Sequence, residues 1–192
     1  MNAHPVLGTS LDTEPTENQA VIYLAGGCFW GLERIFWELP GVVSTSVGYM
    51  GGDVPNPSYI AVCTGTTGHA ETVRVVYDRD QLSDEQILAT FWENHDPTQL
   101  NRQGNDLGTQ YRGAIWTTDD RQLAAAKRVQ GAYQSRLDAA GHGQIVTAVA
   151  PKELDQKFWL AEPYHQAYLW HNPAGYCNHG FNGVSCPVGL EA

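Results

Sequence analysis

At 192 residues the chain is long enough for one domain with a sizeable core and too short for two full cores. Apolar residues make up 42% and exclude disorder of the whole chain; 21 acidic against 11 basic side chains leave a net charge of −10, which argues against phosphate backbones and anionic lipid as partners. Four cysteines are too few for a disulfide-built scaffold of this length.

Residues 1–20 carry prolines and polar residues and read as a flexible N-terminal arm; they lack the basic start and apolar stretch of a secretion signal. The longest uncharged apolar run, Val21 to Leu32, is interrupted by glycines and falls short of the about 20 residues a bilayer requires. A cytoplasmic protein with reduced thiols is expected, binding neither nucleic acid nor membrane. Its negative charge makes a monomer the default.

Val21 to Ala25 reads as a short buried strand, turned by Gly26 and Gly27 into a helix from Phe29 to about Leu39. Leu32, Ile35, Phe36 and Leu39 give that helix its apolar stripe, and Pro40 with Gly41 stops it. Val42 to Tyr49 is a second strand, and Thr72 to Tyr77 a third with Val73, Val75 and Tyr77 on one face. Ser83 and Gln86 have capping-box spacing ahead of a second helix. Ala114 to Thr117, a long helix from Asp119 to Ala140, and a strand from Ile145 to Val149 follow. The order predicts the α+β class: a split β-α-β (ferredoxin-like) two-layer sandwich with a long irregular C-terminal tail. The expected divisions are the arm at 1–20, a catalytic domain at 21–171, and a Gly-rich tail at 172–192 carrying cysteines. The polar stretch from Pro97 to Gln110 is long for a connection and reads as a functional loop.

Cys28 follows a strand and two glycines and opens a helix, where N–H groups and the helix dipole favour a thiolate and lower its pKa. A buried cysteine in a strand–helix corner is the plainer reading. Phe29 and Trp30 are adjacent, so they cannot share the core stripe, and one of them walls an apolar pocket by the thiol. Glu71 in such a pocket has a raised pKa and delivers a proton near neutrality; a solvated strand-end carboxylate is the alternative. Tyr49 and Tyr111 offer phenol donors, and Asp106 lies in the polar loop. Cys177 and Cys186 share the Gly-rich tail, whose mobility suits thiol–disulfide exchange better than a zinc site. Cys63 reads as an inert packed thiol. A hydrolase using Cys28 with His69, and a zinc-stabilised binding module, stand as alternatives.

Taken together, Gly27-Cys28-Phe29-Trp30-Gly31, Val47-Gly48-Tyr49, Thr67-Gly68-His69-Ala70-Glu71, His95-Asp96-Pro97-Thr98, the run from Gly104 to Arg112, and Gly175-Tyr176-Cys177 resemble the A-type peptide methionine sulfoxide reductases, in order and over most of the chain. Gly113 and Met50 depart from the family pattern without removing a reacting group. The resemblance implies a nucleophilic Cys28, Phe29 and Trp30 holding the substrate's S-methyl group, and Glu71 as the acid. It further implies Tyr49 and Tyr111 bonding the sulfoxide oxygen, with Asp106 in support. Cys177 would resolve a sulfenic acid on Cys28, and Cys186 would pass the oxidation on for thioredoxin to reduce. Preference for the S epimer is implied as well, and no metal or organic cofactor is.

Overall fold

The computed structural model describes residues 3–187; residues 1–2 of the expected arm and 188–192 of the expected tail lie outside that range. Strand β1 (Gln19–Ala25) leads into helix α1 (Phe29–Trp37), strand β2 (Val42–Met50) and the short helix α2 (Tyr59–Cys63). Strand β3 (Ala70–Asp78), helix α3 (Asp84–Glu93) and the two-residue strands β4 (Arg102–Gln103) and β5 (Asp106–Leu107) come next. The chain continues with β6 (Ala114–Thr117), α4 (Asp120–Ala139), β7 (Ala148–Pro151), β8 (Trp159–Leu160) and α5 (Tyr168–His171).

The main sheet runs β7-β6-β1-β3-β2-β8; only the β6–β7 pair is parallel. Its mixed α+β architecture follows from alternation. Ile22, Leu24, Val47, Tyr49, Val73, Val75 and Tyr77 face a layer of α1, α3 and α4, which contribute Leu32, Phe36, Ile87, Phe91, Trp92, Val129 and Tyr133. Met50, Ala70, Ala114 and Trp116 form a smaller cluster. Helix α3 starts with the complete Ser83/Gln86 capping box, and Asp119 caps α4 by accepting the Gln122 N–H at 2.8 Å.

Four expectations need correction. The arm is not loose: His4 and Leu11 are buried, the His4 ring packs on Trp37, and Thr13 O accepts from Arg74 at 2.7 Å. The last expected strand is shifted to Ala148–Pro151, because parallel pairing aligns Ala148 with Ala114 while Gln134 takes the Ile145 N–H. Helix α2 was not anticipated; Ser58 caps it, and its five residues are too few to show periodicity. It leaves Val62 buried and Cys63 exposed, so Cys63 is not a packed thiol.

Candidate active site

Alternation along β3 puts Glu71 on the face of Val73, Val75 and Tyr77, and the register pairs it with Tyr49 on β2. The residue is 2% exposed, and its Oε2 accepts the Phe29 N–H at 3.0 Å. A helix start leaves its first N–H groups without partners. Cys28 at the N-cap makes no side-chain cap, so Glu71 supplies one from across the sheet. Burial pushes the Glu71 pKa up to about 8, against the pull of the Phe29 N–H and with a further push from the Asp106 charge. At neutral pH it is a carboxylic acid.

Cys28 is buried at 7% exposure. Burial raises its thiol pKa first, and the charge of Glu71 raises it further; the N–H groups of Trp30 and Gly31 pull it down without prevailing. The helix-start donors expected to lower the Cys28 pKa are present, but desolvation outweighs them and the net shift is upward, opposite to that expectation. Resting thiol and resting carboxyl both carry protons. The preceding glycines serve the protein's own packing: Gly27 has φ +107°, and a Cβ there would meet Gln103 at 2.7 Å, while one at Gly26 would meet Phe91 at 2.9 Å.

Aromatic rings wall the site. Phe29 lies 5.9 Å from Tyr49 and 5.2 Å from His165 between ring centroids. Trp30 is half-buried, stacks on Tyr168 at 3.9 Å, and donates its indole N–H to His165 Nδ1 at 3.0 Å. Tyr59 and Tyr164 also pack on His165, at 4.5 and 4.3 Å. The Tyr49 hydroxyl donates to Glu162 Oε2 at 2.8 Å. Tyr111 ends a 3-10 turn at Thr109–Tyr111; burial raises its pKa, and the charges of Glu71, Asp106 and Cys28 raise it further.

Asp106 accepts from the Tyr176 hydroxyl at 3.0 Å and from Asn178 Nδ2 at 2.8 Å, tying the segment around Cys177 to the loop at β5. Cys177 Sγ lies against Gly31, where a Cβ would meet it at 2.8 Å, and Arg34 Nη2 is 3.5 Å away. Cys177 thus sits on the same first turn of α1 whose N–H groups face Cys28. Cys186 is held elsewhere: its N–H donates to Glu93 at 2.7 Å, and burial with the Glu93 charge raises its thiol to about 12. Asn182 pins that segment, donating to Trp92 O at 2.8 Å and His95 O at 2.6 Å. Through residue 187, then, the glycine-rich stretch is tied to the body rather than free-moving. All four cysteines are unpaired.

Glu162 and His165 complete the site without a sequence motif that marks them. Both stand in Ala161-Glu162-Pro163-Tyr164-His165-Gln166, an irregular stretch whose mixture of acid, phenol and imidazole was the available signal. β8 and Gln166, which bonds both Val47 N and Val47 O at 2.9 Å, lay this stretch along β2. His69, the base of the hydrolase alternative, is buried, and burial lowers its pKa. No group of three or more His, Cys, Asp or Glu side chains able to hold a metal occurs among the described residues. No helix among them is long and apolar enough to cross a membrane.

A thiol at a helix start, a neutral buried acid and a second thiol over the same turn define a thiol-dependent oxidoreductase. The model of the family described as peptide methionine sulfoxide reductase matches residues 20–185. The peptide methionine sulfoxide reductase MsrA of Salinispora tropica is 55% identical over 97% of this chain and 84% of its own. Methionine sulfoxide reductase A of Corynebacterium diphtheriae superposes with a TM-score of 0.85 at 45% identity, covering 96% of this chain and 88% of that one. Reduced Mxr1 of Saccharomyces cerevisiae gives 0.76 at 34% identity, with 85% and 92% covered. The chain belongs to the peptide methionine sulfoxide reductase family.

Proposed function

We propose that this chain reduces methionine S-sulfoxide, free or in proteins, to methionine through a sulfenic acid and intramolecular disulfides. The observation that carries the reading is the neutral, buried Glu71 carboxyl clamped to the first N–H of the helix that begins just after Cys28. A sulfoxide sulfur is a poor electrophile until its oxygen gains a proton. Glu71 gives that proton as Cys28 Sγ attacks, and takes up the proton the thiol releases. The substrate sulfur gains two electrons and leaves as a thioether; the Cys28 sulfur loses two and keeps the oxygen as a sulfenic acid.

Phe29 and Trp30 hold the S-methyl group against the aromatic wall. Tyr111 donates to the sulfoxide oxygen, and Tyr49 joins it by turning its phenol proton away from Glu162. Asp106 supports the site by holding Tyr176 and Asn178 beside Cys177. The Cys177 thiol then displaces hydroxide from the Cys28 sulfenic acid as water, forming a disulfide. The position of Cys177 over Gly31 supports that role. Cys186 receives the oxidation by exchange after the Asn182 anchor opens, and thioredoxin reduces the final disulfide with two electrons and two protons. Mxr1 has been solved in complex with Trx2, which favours this class of donor.

The fold reading that accompanies this is the split β-α-β (ferredoxin-like) sandwich, supported by the neighbour order β6-β1-β3-β2 with α1 and α3 as crossovers. One catalytic body at 21–171, with the arm and the tail segment applied to it, acts as a monomer in the reducing cytoplasm.

The test is intact mass after one equivalent of a methionine sulfoxide peptide. The protein loses two hydrogens, the peptide loses one oxygen, and mapping places the disulfide between Cys28 and Cys177. Retained reduction by Cys28→Ser with dithiothreitol present would overturn the assignment.

A further inference from the structure

Gly31 is a saddle between two groups. A Cβ there would meet both Cys177 Sγ, at 2.8 Å, and His179 Nδ1, at 2.7 Å. The two atoms are therefore at most about 5.5 Å apart, and the Cys177 thiol already faces His179, donating to its carbonyl at 3.8 Å. The His179 tautomer follows from its other nitrogen. Nε2 lies 2.7 Å from the Gly26 carbonyl, which only accepts, so Nε2 carries the hydrogen and Nδ1 a free lone pair. That Nδ1 is buried and has no hydrogen-bond partner. A buried acceptor left open needs an explanation.

We propose that His179 is a catalytic base for disulfide closure, taking the proton of Cys177 as its sulfur attacks the Cys28 sulfenic acid. Cys177 S–H gives its proton to Nδ1, and its sulfur electron pair forms the S–S bond. The Cys28 S–O bond breaks, and the departing hydroxide takes a proton from Glu71 and leaves as water. The imidazolium returns its proton to the Glu71 carboxylate through solvent. The sulfenic sulfur is reduced and the thiol sulfur oxidised by equal amounts, with no other reactant. Arg34 Nη2, 3.5 Å from Cys177 Sγ, stabilises the thiolate as it forms.

Besides burial and the Gly26 carbonyl, two charged groups on neighbouring elements act on His179. Asp106 at β5 favours its charged form, while Arg34 on α1 opposes it. His95, beyond α3, is held neutral by burial, with its pKa near 4. Desolvation dominates and keeps His179 below the usual imidazole range, so its lone pair is available across neutral pH.

The inference rests on the reading of Cys177 as resolving thiol, and the experiment separates the two. Reduced full-length protein is mixed with one equivalent of methionine sulfoxide peptide, quenched over time with dimedone, and weighed, so that sulfenic acid and disulfide are counted separately. His179→Gln keeps a donor for the Gly26 carbonyl and removes the base. A positioned general base contributes about 10² or more to the step it serves, so closure in the variant slows by about 100-fold at pH 7. The deficit shrinks as pH rises, because hydroxide then does the work of the imidazole. A rate equal to wild type, or one lowered by the same factor at every pH as lost docking would do, overturns the proposal. Cys177→Ser is the separate control: a disulfide that still forms at the wild-type rate removes Cys177 as resolver whatever His179 does.

Discussion

Replacing Glu71 by Gln tests the site at its least ordinary property. The amide keeps an oxygen for the Phe29 N–H, bonded at 3.0 Å in the native protein, so the helix start keeps its cap. What is lost is the proton. With a pKa of about 8, the native carboxyl is about 90% protonated at pH 7 and about 10% at pH 9. Single-turnover reduction by the native enzyme therefore falls about tenfold per pH unit above 8, while Glu71→Gln is slower by about 10² to 10⁴ at pH 7 and lacks that decline. Stability carries the same signature. An acid whose pKa rises on folding contributes fully below its unfolded value of 4.5, and that contribution is lost as pH climbs through about 8. The shift corresponds to about 5 kcal/mol at the extreme, so urea midpoints of the native protein drop between pH 5 and pH 9 more steeply than those of the variant. Rapid-quench mass spectrometry reads the chemical step. A native rate that climbs through pH 9 would refute the acid role, because ionisation of the Cys28 thiol would then be limiting.

Further outcomes follow from single contacts. Gly31→Ala places a methyl where Cys177 and His179 now sit, so sulfenic acid accumulates and closure slows by at least tenfold; dimedone labelling reads this, and unchanged closure would show that Cys177 approaches by another route. Asn182→Ala leaves the Trp92 and His95 carbonyls without its amide and costs about 1–3 kcal/mol, read by urea denaturation. The same variant speeds Cys177–Cys186 exchange, followed by peptide mapping; a slower exchange would mean that the anchored state is the competent one. Phe36→Ala, in the fully buried stripe of α1, costs about 3–5 kcal/mol in thermal or chemical unfolding, and a loss under 1 kcal/mol would contradict the packing described.

Much of the frame was legible because it follows from periodicity and punctuation. Leu32 and Phe36 mark the inner face of α1, and Pro40 with Gly41 mark its end. Ser83 and Gln86 announce α3 as a spacing alone. The alternation of Val73, Val75 and Tyr77 also extends back to Glu71, so a carboxyl on the buried face could be read from β3 without any structure. Other features depend on partners distant in sequence. The direction of the Cys28 pKa turns on how much water the fold removes, and spacing does not contain that quantity. The anchoring of residues 182–186 needs carbonyls at Trp92 and His95, freed where α3 ends. Glycine content signals backbone freedom, and here two asparagine side chains, Asn178 and Asn182, cancel it.

The His4 imidazole reaches across the molecule to α1, where its Nε2 stands 3.6 Å from Glu33 Oε1 and both side chains are sealed from water. Glu33 also accepts from the Ala167 N–H at 2.9 Å, so one carboxyl ties both the N-terminal segment and the stretch before α5 to the helix that Cys28 begins. Trimming the first dozen residues as dispensable would uncover that acid, leave it only its bonds from Thr45 and Ala167, and slacken the helix from its far side. Deletions that reach His4 are thus changes to the catalytic apparatus, delivered by a strut rather than by proximity.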